Sequence, residues 1–324
     1  MKKILKIFGI IIAVLIIGVA GLLTYVKVAL PNVGPPPNLK VESTPERLER
    51  GYYLANSIAG CMDCHAERDW TKFAGPVKEG TLGSGGEIFD QKFGFPGRYT
   101  SKNITPYGIG NWTDGELFRA ITSGVNKDGK ALFPIMPHPN FGQLDSEDIY
   151  SIIAYIRTLK PIKKDIEPSS SDFPMNFIVN TIPQKPSFHK MPHPSDSINY
   201  GKYLFTMASC NDCHTKKVKG EPVKGMELAG GFEFPLSTGG TVRSANITPD
   251  METGIGNLSK DAFVKKFKNY ADSSYVPATI TPGAFNTVMP WAFYGRMKTG
   301  DLEAIYTYLR TVKPIKNEVQ KFSN

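Results

Sequence analysis

The longest apolar stretch of the chain lies at its N-terminus, where no charged residue occurs between Ile7 and Val26. In a helix, these 20 residues rise about 30 Å, the thickness of the hydrocarbon core of a bilayer. The stretch is longer than the apolar core of an ordinary signal peptide, and no small-x-small cleavage pattern follows it. We therefore predict that residues 1–30 form a retained transmembrane anchor, with a cleaved signal peptide as the alternative.

The residues that flank the apolar stretch indicate its orientation. Lys2, Lys3 and Lys6 precede it. Positively charged flanks stay in the cytoplasm, so a single-pass arrangement in the cytoplasmic membrane is expected, with the rest of the chain on the periplasmic side. The proline-rich residues 31–43 then predict an extended spacer rather than a helix or a strand.

Beyond the spacer, apolar residues recur with the period of an α-helix. The two clearest stripes are Ile149, Ile152, Ile153, Ile156 and Leu159, and Leu302, Ile305, Tyr306, Leu309 and Val312. Both stop before a Lys-Pro pair, where a helix must end. Thr44 followed by Pro45 predicts the start of another helix, and Thr113 with Glu116 has the spacing of a capping box. The predicted fold class is mainly α.

The region after residue 43 contains one series of short motifs twice. The paired motifs are Gly51-Tyr-Tyr-Leu and Gly201-Lys-Tyr-Leu, Pro76-Val-Lys and Pro222-Val-Lys, Asn103-Ile-Thr-Pro and Asn246-Ile-Thr-Pro, and Gly108-Ile-Gly-Asn and Gly254-Ile-Gly-Asn. Two homologous domains are therefore predicted at residues 44–163 and 198–317, followed by a tail at 318–324. Residues 164–197 hold six prolines and predict a linker between the domains.

All four cysteines of the chain belong to two copies of the pattern Cys-x-x-Cys-His. The copies are Cys61, Cys64 and His65, and Cys210, Cys213 and His214. Two thiols at this spacing can form thioethers with the vinyl groups of one porphyrin, and the next imidazole can ligate its iron. A closed zinc site is the alternative, but it needs four ligands and each copy offers three. The patterns therefore predict two haem c groups, attached through the four cysteines and ligated on one side by the two histidines.

A sixth iron ligand is predicted from the same repeat. Met136 and Met289 each precede a proline at equivalent positions of the two domains. A thioether is a soft ligand that favours ferrous iron and raises the reduction potential. His138 competes with the first methionine, and Met251 and Met297 are the other candidates in the second domain. The alternative for each methionine is a core residue that fills a gap.

The formal charge of +8 does not indicate nucleic-acid binding. Four of the 38 basic residues flank the apolar stretch, so residues 28–324 carry 34 basic and 30 acidic side chains. The propionates of two haems would offset most of the remaining positive charge. We therefore expect protein redox partners and a membrane, but no nucleic acid.

Several of these motifs resemble known families. The pair Gly51 and Tyr155, repeated as Gly201 and Tyr308, resembles the close contact between the terminal helices of class I cytochromes c. The Asn-Ile-Thr-Pro segments are similar to those in the cytochrome subunits of bacterial membrane-bound alcohol, aldehyde and gluconate dehydrogenases. The resemblance covers residues 44–317 and implies two class I cytochrome c domains in tandem. Those subunits often carry three haems, whereas this chain has two attachment patterns.

The resemblance also implies roles for residues outside the Cys-x-x-Cys-His patterns. The carbonyl groups of Pro76 and Pro222 are expected to orient the proximal imidazoles. The residues expected either to hold haem propionates or to be ordinary turn residues are Arg98, Arg243, Asn103 and Asn246.

An iron with two protein ligands has no open position for a substrate and is suited to electron transfer. The predicted function is a relay of electrons from a dehydrogenase to a cytochrome or terminal oxidase, by a chain that is not itself an enzyme. The alternative is a dihaem enzyme of the peroxidase or thiosulfate dehydrogenase type, which needs an exchangeable ligand on one iron. A redox or gas sensor is a third class, but no output domain accompanies the two haem patterns.

Overall fold

The computed structural model describes residues 1–324, the whole of the chain. Its first element is helix α1, Lys2–Val28, in which no side chain is buried. The most apolar window of α1 has a mean hydropathy of 2.8, so the helix is long and apolar enough to cross a membrane, as a signal sequence at this position also is. Residues 31–43 contain neither helix nor strand, as expected of a spacer.

The first repeated unit consists mainly of helices. Its elements are α2 Pro45–Tyr53, α3 Cys61–Cys64, β1 Ile88–Phe89, β2 Gly97–Thr100, α4 Pro106–Ile109, α5 Asp114–Ser123, α6 His138–Phe141 and α7 Ser146–Ile156. A π-helical turn, Leu54–Ile58, separates α2 from α3. Thr44 caps α2, and Thr113 and Glu116 form the predicted capping box at the start of α5. The helix starts predicted from the sequence are therefore confirmed.

The segment between the units has some regular structure of its own. Its elements are β3 Ser170–Ser171, α8 Met175–Ile178 and a 3-10 helix at Val179–Thr181. Strand β3 pairs antiparallel with β2, with Gly97 opposite Ser171. The start of the linker therefore adds a third strand to the sheet of the first unit.

The second repeated unit follows the same order with more strand. Its elements are α9 Ser197–Met207, α10 Cys210–His214, β4 Lys217–Val218, β5 Glu221–Pro222, β6 Glu233–Pro235, β7 Thr241–Arg243, α11 Lys260–Lys268, α12 Trp291–Tyr294, α13 Thr299–Leu309 and β8 Phe322–Ser323. Strand β8 pairs with β7 as β3 pairs with β2. Each unit thus gains an outer strand from the residues that follow its predicted boundary.

In each unit the first and last helices cross at a glycine. A Cβ atom at Gly51 would lie 1.9 Å from the carbonyl oxygen of Ser151, and one at Gly201 would lie 1.9 Å from that of Ala304. No side chain fits at such a distance, so α2 lies directly on α7 and α9 directly on α13 because both positions are glycine. Tyr155 contacts Gly51 as the resemblance implied.

The interior is apolar and continuous between the units. The predicted stripes bury Ile149, Ile152, Ile153 and Ile156 in α7, and Leu302, Ile305 and Leu309 in α13. These residues belong to one cluster of 28 buried side chains drawn from both units. The two units therefore pack on each other and do not merely follow one another along the chain.

Candidate haem-binding sites

Each Cys-x-x-Cys-His pattern folds into one helical turn with a left-handed residue in front of it. Gly60 precedes α3 with a φ of 72°, and Ser209 precedes α10 with a φ of 55°. Both cysteines of a pattern therefore lie on a single turn, with the histidine directly after it. None of the four cysteines forms a disulfide. Burial raises the pKa of the Cys61, Cys64 and Cys210 thiols to about 12, so they remain neutral thiols before any thioether forms.

The two histidines are oriented in the same way. His65 Nδ1 lies 2.6 Å from the carbonyl oxygen of Lys102, and His214 Nδ1 lies 2.8 Å from that of Ala245. A carbonyl oxygen only accepts, so each Nδ1 donates and each Nε2 keeps its lone pair for a metal. Burial also lowers the pKa of both imidazoles, which favours the neutral, ligating form.

The expected source of these carbonyl groups was wrong. The Pro76 oxygen accepts from the backbone N–H of Asp69 at 2.8 Å, and Pro222 lies in strand β5 of a short hairpin. The histidine partners instead are Lys102 and Ala245, each the residue before the asparagine of an Asn-Ile-Thr-Pro motif. The histidine is thereby held by the loop that the repeated motif builds.

The asparagines of that motif serve as turn residues. Asn103 Nδ2 donates to the carbonyl oxygen of Ile162 at 2.8 Å, and its Oδ1 accepts from Thr105. Asn246 Nδ2 donates to Ile315 at 2.8 Å in the same way. Both amides tie the loop to the chain that leaves the last helix, which supports the turn interpretation over propionate binding.

The two arginines considered for the propionates pair with carboxylates in the structure. Arg98 contacts Glu167 at 3.4 Å, and Arg243 contacts Glu233 at 2.8 Å. Arg243 also lines a cavity beside the second Cys-x-x-Cys-His pattern, whereas the pairing of Arg98 is largely exposed.

The second unit has a cavity, partly open to solvent, beside its Cys-x-x-Cys-His pattern. It is lined by Cys210, Cys213, His214 and Met289, the four residues predicted for one haem, and by apolar residues such as Val242. Thiol, imidazole and thioether groups around an apolar cavity are the donor set that a c-type haem requires. The residues present therefore fit that group.

The competing methionines of the second unit lie elsewhere. Met297 is 1% exposed and belongs to the apolar core, and Met251 is 55% exposed. Met289 lines the cavity.

Met136 occupies the same local structure in the first unit. The Met136 carbonyl oxygen accepts from His138 N at 2.7 Å, and that of Met289 accepts from Trp291 N at 2.9 Å, in both cases across the proline that precedes a short helix. Met136 is half-buried against the core cluster. The two methionines are thus structurally equivalent, as the repeat predicts.

His138 is buried beside Met136. It is 1% exposed, and desolvation lowers its pKa to about 4. Its ring packs on Gly124, where an added Cβ would lie 2.4 Å from Nε2, and this nitrogen has no hydrogen-bond partner. The ring is therefore neutral, and its Nε2 edge lies against the backbone of Gly124.

Sequence reasoning missed a reciprocal contact between the units. Tyr53 Oη donates to Asp301 at 2.5 Å, and Tyr203 Oη donates to Asp148 at 2.7 Å. Each tyrosine comes from the first helix of one unit, and each aspartate lies in the first turn of the last helix of the other unit. Burial and the carboxylate both raise the pKa of the two tyrosines, which stay protonated as donors.

The same tyrosines also accept at equivalent positions. In each unit, the backbone N–H of the N-cap residue of the last helix donates to the tyrosine Oη of the other unit. Asp145 N donates to Tyr203 Oη at 3.0 Å, and Lys298 N donates to Tyr53 Oη at 2.8 Å. The two units are therefore related across their interface by a pseudo-twofold axis. The equivalence of the two tyrosines is visible in the sequence, because Tyr53 and Tyr203 each lie two residues after the crossing glycine of their unit.

This interface brings the two Cys-x-x-Cys-His patterns near each other. Asn140 in α6 donates to Asp212, inside the second pattern, at 2.8 Å. Tyr294 in α12 lines the second cavity and donates to Ala208 at 2.7 Å, and its helix packs on the π-helical turn before the first pattern. Burial raises the pKa of Tyr294, with smaller contributions from the cysteines of both patterns.

Comparison with known proteins identifies the family. Residues 198–313 match the model described as Cytochrome c. The alcohol dehydrogenase (quinone) cytochrome c subunit of Gluconacetobacter polyoxogenes is 29% identical over 83% of this chain and 56% of its own length. The fructose dehydrogenase cytochrome subunit of Gluconobacter japonicus is 30% identical over 84% and 53%. This chain thus spans about half the length of these two relatives.

A third relative is covered more fully. The protein named diheme cytochrome c-type from Cereibacter sphaeroides is 30% identical over 62% of this chain and 68% of its own length. With this relative, the family match in the second unit and a repeated attachment pattern in the first, the chain belongs to the cytochrome c family.

Proposed function

We propose that the chain relays electrons through two covalently bound haem c groups, one in each repeated unit. The proposal rests on the second-unit cavity, where Cys210, Cys213, His214 and Met289 line one space. The same residue types stand on equivalent turns of the first unit. When bound, haem supplies the one-electron chemistry that no side chain in either unit provides.

The residues of each unit have distinct roles in this proposal. The cysteines tether the porphyrin, and the histidine presents Nε2 to the iron because a backbone carbonyl holds its Nδ1–H. The methionine sulfur would be the second protein ligand of the iron, which would leave no position for a substrate. The ligand pairs are therefore His65 with Met136 and His214 with Met289. His138 is the weaker candidate because its Nε2 lies against Gly124.

We further propose that residues 1–30 anchor the chain in the cytoplasmic membrane. The spacer at residues 31–43 connects this anchor to two haem domains, 44–163 and 198–317, on the periplasmic side. The length and composition of α1 and the lysines before it support this arrangement. The linker 164–197 and the tail 318–324 each contribute one strand to the preceding domain.

The proposed donor is a membrane-associated dehydrogenase, and the proposed acceptor is a downstream cytochrome or terminal oxidase. Relatives named as cytochrome subunits of alcohol, fructose and gluconate dehydrogenases support the donor class. The exported part carries 34 basic and 30 acidic residues, so docking depends on a local patch rather than on a strong overall field. Transfer should therefore depend only modestly on salt concentration.

Deletion of the gene tests this role. Oxygen uptake with alcohols, aldehydes or sugars as donors should fall for at least one substrate class and return with the wild-type gene. Normal respiration of every substrate would contradict the relay. Turnover of peroxide or thiosulfate by the purified protein would support a dihaem enzyme in its place.

A further inference from the structure

The linker segment 172–182 lies against the outer end of α1. Helix α8 and the 3-10 helix after it contact the last turns of α1. Lys27 Nζ donates to the carbonyl oxygen of Asn176 at 2.8 Å and lies 4.8 Å from the centre of the Phe177 ring. Within α1 only Leu23 and Val26 are partly shielded, and all its other side chains are exposed.

The position of this contact along α1 determines how deep it would lie in a bilayer. The uncharged stretch ends at Val26, and Leu23 lies one helical turn inside that end, about 5 Å along the axis. Interfacial helices bury their apolar faces about 5–10 Å into the boundary between headgroups and acyl chains. If α1 spans a bilayer, segment 172–182 lies at the outer boundary of the same bilayer.

The segment also carries apolar side chains that no other part of the chain covers. Phe173 is 78% exposed and Ile178 is 44% exposed. The Phe173 ring meets the edge of Phe177, with centroids 6.3 Å apart, beside the amine of Lys27. Aromatic and aliphatic side chains next to a lysine are typical of a membrane interface.

We propose that segment 172–182 lies in the outer leaflet interface as a second membrane contact, with Phe173 and Ile178 among the lipid acyl chains. This inference rests on the proposed anchoring by α1. Strand β3 and Asp172 tie the segment to the first unit, the latter through a 2.7 Å hydrogen bond from Gln91. The first haem domain is therefore held next to the membrane instead of turning freely on the spacer.

Spin labelling of the full-length protein in phospholipid nanodiscs tests this placement. The four native cysteines are consumed by haem in the proposed protein, so Phe173→Cys introduces the only free thiol. Val276→Cys is the matched control, because Val276 is also 78% exposed but lies in the second unit. The rate at which the nitroxide collides with oxygen, which concentrates in lipid, is compared with its collision rate with a water-soluble nickel chelate.

The expected oxygen-to-chelate collision ratio is several-fold higher at residue 173 than at residue 276. A low ratio at residue 173, equal to that at residue 276, would place the segment in water and overturn the proposal. Shielding of residue 173 from both reagents would indicate contact between copies of the chain and would also overturn it.

Co-elution with nanodiscs reports on α1 separately. Loss of co-elution in both variants would contradict the anchor, whereas co-elution with a low ratio at residue 173 would contradict only the second contact. The visible spectrum of each variant shows that the haem domains are folded.

Discussion

The two methionines are the residues whose chemistry matters most beyond the Cys-x-x-Cys-His patterns. Both lie on the same proline turn, and Met289 lines the cavity that His214 also lines. If a methionine ligates the iron as proposed, its thioether blocks external ligands, and its removal should change what the haem can bind.

Replacement of Met136 or Met289 by alanine should let the reduced protein bind one carbon monoxide per chain, while the wild type binds none. Each variant should also lose part of the weak sulfur-to-iron band at the red end of the oxidised spectrum, and the reduction potential of that haem should fall. Met251→Ala, at an exposed position, is the control and should leave the spectrum unchanged. If His138→Gln opens the first haem and Met136→Ala does not, the histidine is the ligand.

How far such residues can be predicted from sequence depends on what identifies them. Met136 and Met289 could be proposed as ligands because a ligand needs a particular side chain and the repeat shows it twice. The carbonyl groups of Lys102 and Ala245 could not, because every residue has a carbonyl and only the folded loop determines which one meets the histidine.

At the scale of elements, the crossing glycines set the spacing of the helices on which the cysteines depend. The π-helical turn continues directly from α2, and α3 follows it after two residues, so a shift of α2 on α7 also moves the first attachment pattern.

Gly51→Ala should therefore destabilise the protein by about 1–3 kcal/mol or more, since its Cβ would overlap the Ser151 carbonyl group. Gly201→Ala should act equally in the second unit. Gly300→Ala is the matched control, because nothing lies within 4 Å of its added Cβ, and it should be neutral or stabilising by up to about 1 kcal/mol. Chemical unfolding followed by circular dichroism measures the differences; equal values for Gly51→Ala and Gly300→Ala would contradict the close crossing.

The elements also show where sequence patterns stop being informative. Helices α2, α5, α7 and α13 are predicted from capping residues and apolar stripes, which are local signals. Strands β3 and β8 were not, because two residues are too few to show an alternating pattern and their partners lie about 70 to 80 residues away. Their pairing depends on the folded unit rather than on their own sequence.

At the scale of the whole molecule, the pseudo-twofold interface fixes the relation between the two repeated units. Asp148 and Asp301 are 5% and 7% exposed, and each accepts from a tyrosine of the other unit. Each also accepts from the residue before the crossing glycine of its own unit, Arg50 for Asp148 and Tyr200 for Asp301.

Tyr53→Phe and Tyr203→Phe should each reduce the free energy of unfolding by about 1–3 kcal/mol, because each leaves a buried carboxylate short of one donor. Tyr52→Phe, at an exposed neighbouring position, is the control. A double-mutant cycle of Tyr53→Phe with Asp301→Asn should show coupling, and Tyr53→Phe with Asp148→Asn should show much less. Equal coupling in both cycles would contradict the reciprocal contact.

The proposed relay requires that each unit of this chain binds its own haem. Intact mass spectrometry of the purified protein measures this most directly, on the wild type and on two variants in which one cysteine pair is replaced, Cys61→Ala with Cys64→Ala and Cys210→Ala with Cys213→Ala. We expect two covalent haems in the wild type and one in each variant. A single haem in the wild type, or a variant that keeps two, would contradict it.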